Sequence, residues 1–337
     1  MKEILKDRLE VLKDNYIKMT GQPFEYFYCP ILYRDEKTPL CMGHIVNSAF
    51  PNSPRAWTVQ REDVDNFYGS KFESDFIDLQ HSGKYSPDEI LLDKDLSKSI
   101  KPKIIQNGTS VDYYYAEGNI PDHFSPVIVE NNEKSTTLVL KKSPDEMLAQ
   151  IDSNWEIDIS RDLRLPALVS LIKSAHLTLF NILGYEYALS AGGYFVGHDI
   201  LGLFYEQNKS ESKQNVLKNA LPFFRPFLHM VRPVPHDSIE VQGTISDNHL
   251  LACKDSQNNI WALVVFIRTD QRLHSVLIPV FESTDAIPRF LNFLENTNET
   301  IDANYCIYAK DKWDISTKTV KLVWPKAGDL YPEINEQ

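Results

Sequence analysis

The chain has few positive charges and few cysteines for its length. Lys and Arg together number 35 against 47 Asp and Glu, which gives a formal net charge of −12 over 337 residues. Surfaces that bind duplex nucleic acid are usually basic, so this deficit argues against a nucleic-acid partner, although an acidic protein can still bind one through a local basic strip. The four cysteines are scattered along the sequence, which is typical of reduced thiols in a cytoplasmic protein.

Several catalytic motifs and long apolar runs are also missing. The sequence contains no Gly-x-Ser-x-Gly elbow, no His-Glu-x-x-His pair and no P-loop, so serine hydrolysis, P-loop nucleotide hydrolysis and hydride transfer have no support. No segment approaches the roughly 18 uncharged apolar residues of a membrane span, and we expect no membrane partner. The first helix, which ends near Met19, is amphipathic and differs from a secretory signal.

The mixture of strand-like and helix-like segments predicts an α+β protein of two domains. We place a soft boundary near residue 100, between an N-terminal domain of residues 1–100 and a C-terminal domain of residues 101–337. The C-terminal domain is expected to be a mixed α+β structure with an antiparallel sheet and core helices, and to select a substrate or partner.

The most apolar segment, residues 165–185, predicts a helix buried in the core of this second domain. Its apolar run is interrupted by Lys173, Ser174 and His176. A histidine among apolar neighbours is more often a hydrogen-bonded core residue than a catalytic one, and we interpret His176 in that way.

One stretch, residues 27–76, gathers a histidine, several carboxylates and paired turn signals within one supersecondary unit. The aromatic run at residues 24–33 favours a first strand, and residues 40–46 favour a second strand that carries His44. A loop rich in Pro, Asn and Ser at residues 51–54 then reverses the chain.

A helix is predicted from about Arg61, because apolar side chains then recur mostly at spacings of three and four. A strand, a loop and a helix in this order can bring His44 close to the polar side chains of the helix. The apolar stripe consists of Val64, Phe67, Tyr68, Phe72 and Phe76, and the polar candidates are Asp65, Asn66 and Glu73.

The motifs of this stretch resemble those of the His-Asn-His (HNH) endonucleases, which are metal-dependent nucleases of the ββα-metal fold. Residues 43–46, Gly-His-Ile-Val, are similar to the family block that carries the general base. Residues 64–70, Val-Asp-Asn-Phe-Tyr-Gly-Ser, are similar to the block on the helix. Residues 173–185 also look like a helix that often follows the nuclease unit, of the form Lys-x-Ala-x-x-x-Leu and then Leu-Gly-Tyr.

The resemblance implies an N-terminal ββα-metal unit that hydrolyses nucleic acid. His44 would be the general base that activates water, and Asp65 would be the helix-borne ligand of a divalent cation, Mg²⁺ or Mn²⁺. Asn66 and Glu73 are further candidate ligands. The candidate contacts to the substrate are the basic side chains beside the motif, Arg55, Arg61 and Lys71.

Three positions differ from the family pattern. Gly43 stands where the family usually has a metal-binding carboxylate, and Arg61 and Val64 stand where it has two zinc cysteines. We therefore expect no structural zinc, which needs four N or S ligands. An alternative also stays open, in which the unit is a catalytically inactive HNH-fold module that binds or regulates a partner.

The leading hypothesis is a metal-dependent, cytoplasmic HNH-type endonuclease, with DNA favoured over RNA as its substrate. A role in restriction or phage defence is an expectation from where such nucleases tend to occur.

Overall fold

The structure, a computed structural model of the chain, contains two compact units. The first combines Met1–Glu73 with Leu165–Gln337, and the second is Ser74–Arg164. The domain boundary that we predict near residue 100 lies outside the described residues. The structure describes residues 2–50, 56–77, 103–106, 109–114, 127–130, 136–139, 155–158, 164–233, 249–254, 259–269, 272–280, 286–296, 300–309 and 312–323.

The first unit begins with a helix, a hairpin and a second helix. Helix α1 is Lys2–Thr20. Strands β1 (Leu40–His44) and β2 (Trp57–Arg61) pair antiparallel, with His44 opposite Trp57 at the end of the pairing where the connecting loop begins. Helix α2 (Glu62–Tyr68) follows β2 without a loop and continues into a π-helical turn, Gly69–Glu73.

Residues 24–33 do not form the strand that we predict, and the hairpin uses residues 57–61 instead. The carboxylate of Asp35 accepts hydrogen bonds from the backbone N–H groups of Tyr26 and Phe27, at 2.9 and 2.8 Å. Pro30 has no N–H to donate. The N–H of Cys29 donates to the carbonyl of Arg34 at 3.1 Å, and Tyr28 and Asp35 form an isolated bridge. These local bonds and those to the Asp35 carboxylate replace the ladder of a longer strand.

The second unit contains a five-stranded sheet, whose strands lie in the order β5-β6-β4-β3-β7. Neighbouring strands pair antiparallel except β4 and β6, which are parallel. The strands are β3 (Lys103–Gln106), β4 (Thr109–Tyr114), β5 (Val127–Glu130), β6 (Thr136–Val139) and β7 (Trp155–Asp158).

Helix α3 (Arg164–Leu183) is the core helix that the sequence predicts. It is long and apolar enough to cross a membrane, and most of its residues are buried within the protein. Val169, Ile172 and Phe180 are completely enclosed. The chain then continues through α4 (Tyr185–Ala188), α5 (Ala191–Tyr194), a π-helical segment Phe195–Gly202, α6 (Leu203–Asn208), α7 (Lys213–Phe224) and a 3₁₀ segment Arg225–Met230.

A six-stranded antiparallel sheet completes the first unit, so the mixed α+β class and an antiparallel sheet after the core helix are both present. The strands lie in the order β13-β12-β9-β10-β11-β8. They are β8 (Val231–Pro233), β9 (His249–Lys254), β10 (Ile260–Thr269), β11 (Arg272–Pro279), β12 (Thr300–Ala309) and β13 (Lys312–Val323), and helix α8 (Ile287–Asn296) precedes β12.

His176 on α3 is a buried core histidine, in agreement with the sequence interpretation. Its Nε2 lies 3.0 Å from the carbonyl oxygen of Pro30 and its Nδ1 lies 2.9 Å from the hydroxyl of Tyr187. Because a carbonyl can only accept, Nε2 carries the proton and Nδ1 accepts from the Tyr187 hydroxyl. Burial lowers the pKa of His176 to about 4, so the ring is neutral near pH 7.

We expect the free energy of unfolding to fall as the pH drops from about 6.5 to about 4, since the unfolded chain takes up the proton that folded His176 refuses. His176→Gln should show a shallower pH dependence in this window in urea unfolding at a series of pH values. An unchanged slope in His176→Gln would contradict the assignment.

Close backbone contacts explain a glycine in the π-helical segment after α5. A Cβ at Gly197 would lie 2.3 Å from the carbonyl oxygen of Pro30 and 2.8 Å from Cε1 of His176. A Cβ at Gly69 would meet nothing within 4 Å. The two glycines therefore differ in what a methyl group would displace.

Gly197→Ala should lower the free energy of unfolding by about 1 to 3 kcal/mol, because the Cβ forces apart a packed backbone. Gly69→Ala should leave the stability unchanged or raise it by up to about 1 kcal/mol, since alanine favours the helix. Urea unfolding of both variants checks the pair, and equal stabilities would show that the close contact at Gly197 is absent.

Candidate active site

The β1-β2 hairpin and α2, which follows it directly, form the local frame of the site, and His44 lies at the loop end of the hairpin. The backbone N–H of Glu62 donates to the carbonyl of Pro39 at 3.0 Å, so the helix starts where the hairpin ends. The ring of His44 stacks on that of Trp57, with centroids 4.5 Å apart and planes 29° from parallel. Trp57 is 40% exposed, so the stacked pair of rings lies at the protein surface.

The π-helical turn aligns the two acidic side chains of the helix. On a regular α-helix a residue eight positions after Asp65 would point about 80° away from it. The wider turn at Gly69–Glu73 takes up this excess. Asp65 and Glu73 therefore both contact one cation, the ammonium of Lys173.

Lys173 belongs to α3 and lies 108 residues after Asp65 in the sequence. Its Nζ donates to Oδ1 of Asp65 and to Oε1 of Glu73, each at 2.9 Å, and the side chain is 0% exposed. The ammonium also lies 5.8 Å from the centre of the Tyr68 ring. The next residue, Ser174, donates its hydroxyl to the carbonyl of Ile45 at 2.7 Å, so α3 contacts both the helix and the end of β1.

Electrostatics keep Lys173 charged in spite of its burial. Burial by itself lowers the pKa of Lys173, but the carboxylates of Glu73 and Asp65 outweigh it and raise the pKa above its ordinary value. Two carboxylates and one ammonium leave one net negative charge on this triad.

Asp65 and Glu73 also line a cavity of about 400 Å³, which is within the usual size range of small-ligand pockets. The four residues that the sequence assigns to catalysis or metal binding all contribute to its walls. Asn47 also contributes, and its Nδ2 donates to Oε2 of Glu73 at 3.1 Å. The lining residues are His44, Asn47, Asp65, Asn66, Gly69, Ser70 and Glu73.

Gly43 lies directly opposite the helix carboxylate. A Cβ at this position would come within 3.1 Å of Oδ2 of Asp65 and within 2.2 Å of Nε2 of Gln60. The strand position where HNH nucleases usually carry a carboxylate thus faces Asp65. In this chain the amide of the buried Gln60 fills the space that such a side chain would need.

Cys41 is close to the pocket but does not supply a nucleophile. Its Sγ lies 3.8 Å from Oδ2 of Asp65. Burial and the neighbouring charge of Asp65 raise the pKa of the Cys41 thiol to about 12. The thiol is therefore protonated near pH 7, and the reactive form of a cysteine is the thiolate.

Neither of the described basic residues chosen from the sequence, Arg61 and Lys71, lines the cavity. Arg61 is 6% exposed, and its guanidinium donates to Glu36 at 2.7 Å and to Asp63 at 2.8 Å. Nζ of Lys71 donates to the carbonyl of Glu211 at 3.1 Å. Arg55 lies outside the described residues. We interpret Arg61 as part of the internal packing and do not include it in the proposed substrate contacts.

The residues that could hold a metal ion are few. Within the described segments, no group of three or more His, Cys, Asp or Glu side chains is arranged to bind one. Mg²⁺ commonly binds through one or two carboxylates, several waters and the phosphates of a substrate. Asp65 and Glu73 fit that kind of site, because together with the Lys173 ammonium they carry one net negative charge. They do not form an all-protein cage.

No protein-family model, no curated protein and no solved structure matches this chain. The resemblance to HNH nucleases therefore depends on the motifs of the sequence. The pocket geometry is an observation independent of that resemblance.

The burial of Arg61 predicts a stability effect. Arg61→Met should lower the free energy of unfolding by about 1 to 3 kcal/mol, because charge-assisted hydrogen bonds at a buried site are lost. Lys209→Met is the matched control. It removes an exposed lysine that pairs with Glu206 and should change the stability by about 0.5 kcal/mol or less. Unchanged stability of Arg61→Met together with weaker nucleic-acid binding would restore the substrate role.

Proposed function

We propose that the pocket hydrolyses phosphodiester bonds of nucleic acid, as a metal-dependent endonuclease of HNH type with an N-terminal ββα-metal unit. One observation carries the proposal: His44, Asp65, Asn66 and Glu73, which the motifs single out, line the same cavity. Two strands and a helix follow one another here, as the sequence predicts, but His44 lies on the first strand and residues 57–61 form the second.

His44 is the general base in this proposal. Its half-buried imidazole takes a proton from a water molecule while the water oxygen forms a bond to phosphorus. The bond from phosphorus to the 3′ oxygen breaks, and that oxygen leaves with the electron pair and is protonated from solvent. Trp57 keeps the imidazole oriented through the ring stack, so the base does not need to reorganise when the water arrives.

Asp65 and Glu73 would hold the divalent cation, Mg²⁺ or Mn²⁺, and Asn66 would assist. When bound, the cation supplies positive charge that stabilises the extra negative charge on the phosphate and on the leaving oxygen. This charge matters here because the protein carries −12 overall, and the triad itself is negative.

A cytoplasmic location, a preference for DNA over RNA and a role in restriction or phage defence belong to the same proposal and depend on the motif resemblance. The acidic body allows few phosphate contacts, so binding should be weak and only shallowly dependent on salt.

The second candidate is a module of the same fold that binds nucleic acid or another partner without cutting it. Two observations favour it. Position 43 has no carboxylate, and Gln60 fills the adjacent space. Lys173 already engages one oxygen of Asp65 and one of Glu73.

Cleavage assays with the purified protein test the proposal. His44→Ala should reduce cleavage of DNA or RNA by about 10²- to 10⁴-fold, as expected when a general base is removed, with almost unchanged thermal stability. His198→Ala, which changes a partly exposed histidine outside the cavity, should cut like the wild type. Chelation by EDTA should stop cleavage, and Mg²⁺ or Mn²⁺ should restore it.

The same assays distinguish the two candidates. Cleavage by His44→Ala at the wild-type rate, or cleavage that EDTA does not affect, would reject the nuclease proposal. An electrophoretic shift with Ca²⁺ but no cleavage by the wild type under any cation would favour the binding module.

A further inference from the structure

Lys173 is a fully buried cation placed between two carboxylates of the pocket wall. Burying an ammonium is costly, and a buried ion pair is a poor source of stability compared with apolar packing of similar volume. We infer that the ammonium of Lys173 is the resident cation of this pocket. It compensates Asp65 and Glu73 in the free protein and keeps the affinity of the pocket for a free divalent ion low.

The geometry explains why a metal ion and this ammonium compete. Oδ1 of Asp65 and Oε1 of Glu73 each lie one hydrogen-bond length from Nζ, so the two oxygens are within two such lengths of each other. Asp65 and Glu73 are the residues that would hold a divalent ion, and their two oxygens face the same space. The ammonium fills it.

The surroundings hold the ammonium in that position. The side chain is 0% exposed, and the ring of Tyr68 lies below Nζ. Oε2 of Glu73 is also engaged, because it accepts from Nδ2 of Asn47. A divalent ion therefore meets a triad that has one net negative charge and whose carboxylates are already partly used.

A phosphate group changes this balance, because it adds negative charge and oxygen ligands beside Asp65 and Glu73. A divalent ion should then bind together with the substrate and only weakly without it. This second step rests on the proposed function, whereas the competition between Lys173 and the ion does not.

The experiment is a calorimetric titration of Mn²⁺ into the full chain without nucleic acid. Wild type should bind weakly. Lys173→Met should bind about ten-fold more tightly or better, since a unit positive charge at contact distance is removed. Asp65→Asn/Lys173→Met should lose the gain, and Lys209→Met, which removes an exposed lysine, should behave like the wild type.

Thermal unfolding gives a second readout that does not depend on activity. Mn²⁺ should raise the Tm of Lys173→Met, because an ion that binds only the folded state stabilises it, and it should leave the wild-type Tm unchanged. If Lys173→Met folds only in the presence of Mn²⁺, this result supports the inference in the same way. Lys173→Gln provides a polar variant in case the methionine is not tolerated.

Two results would overturn the inference. One is a wild type that binds Mn²⁺ with a Kd near or below about 1 µM and loses it in Asp65→Asn. The other is a folded Lys173→Met or Lys173→Gln that binds the ion no better than the wild type. The proposed function fails separately: a wild type that cuts no nucleic acid leaves a tighter Mn²⁺ site in Lys173→Met as valid support for the role of Lys173.

Discussion

The contact of one buried ammonium with two carboxylates determines the arrangement of the candidate site. Lys173 belongs to the core helix α3, whereas Asp65 and Glu73 belong to the helix that follows the hairpin. Removing the ammonium would leave two neighbouring carboxylates without the cation that they share, and breaking a buried ion pair in this way is strongly destabilising. The hydroxyl of Ser174 adds a hydrogen bond to the carbonyl of Ile45, the residue after His44. Helix α3 therefore positions both the carboxylates of Asp65 and Glu73 and the end of the strand that carries His44.

The same contact depends on an irregular helix. A π-helical turn at Gly69–Glu73 brings Glu73 to the face of Asp65, and such turns occur frequently at functional sites. The hydroxyl of Tyr68 donates to the carbonyl of Leu201 at 2.6 Å and anchors the helix just before the turn. The widened turn is thereby held by packing on one side and by the Lys173 ion pairs on the other.

Charge links the site to the whole protein. The body is strongly acidic, and within the pocket the charge of the triad is only partly neutralised. A phosphate could approach such a site only where a cation compensates, and Lys173 is enclosed and already paired. This is the physical reason that the proposed nuclease needs a divalent ion and that the ion and the phosphate should bind together.

The sequence by itself determined the local part of the site. His44, Asp65, Asn66 and Glu73 lie within thirty residues of one another, and the periods of a strand and a helix are local properties of the backbone. It also indicated the buried α3 and His176, because their neighbours are apolar. The predicted strand at residues 24–33 was wrong, since strand propensity does not account for the Asp35 carboxylate that bonds its backbone.

Only the tertiary structure decided which charged side chains are inside. Arg61 looks like a surface residue beside the motif, but it is enclosed and paired with Glu36 and Asp63. Lys173 is the one charged residue in the apolar stretch of residues 165–185, a signal that the sequence does contain. Its partner Asp65, however, is 108 residues away. Periodicity reports which face of an element is buried and not what it is buried against, so contacts between distant elements depend on packing that local patterns do not encode.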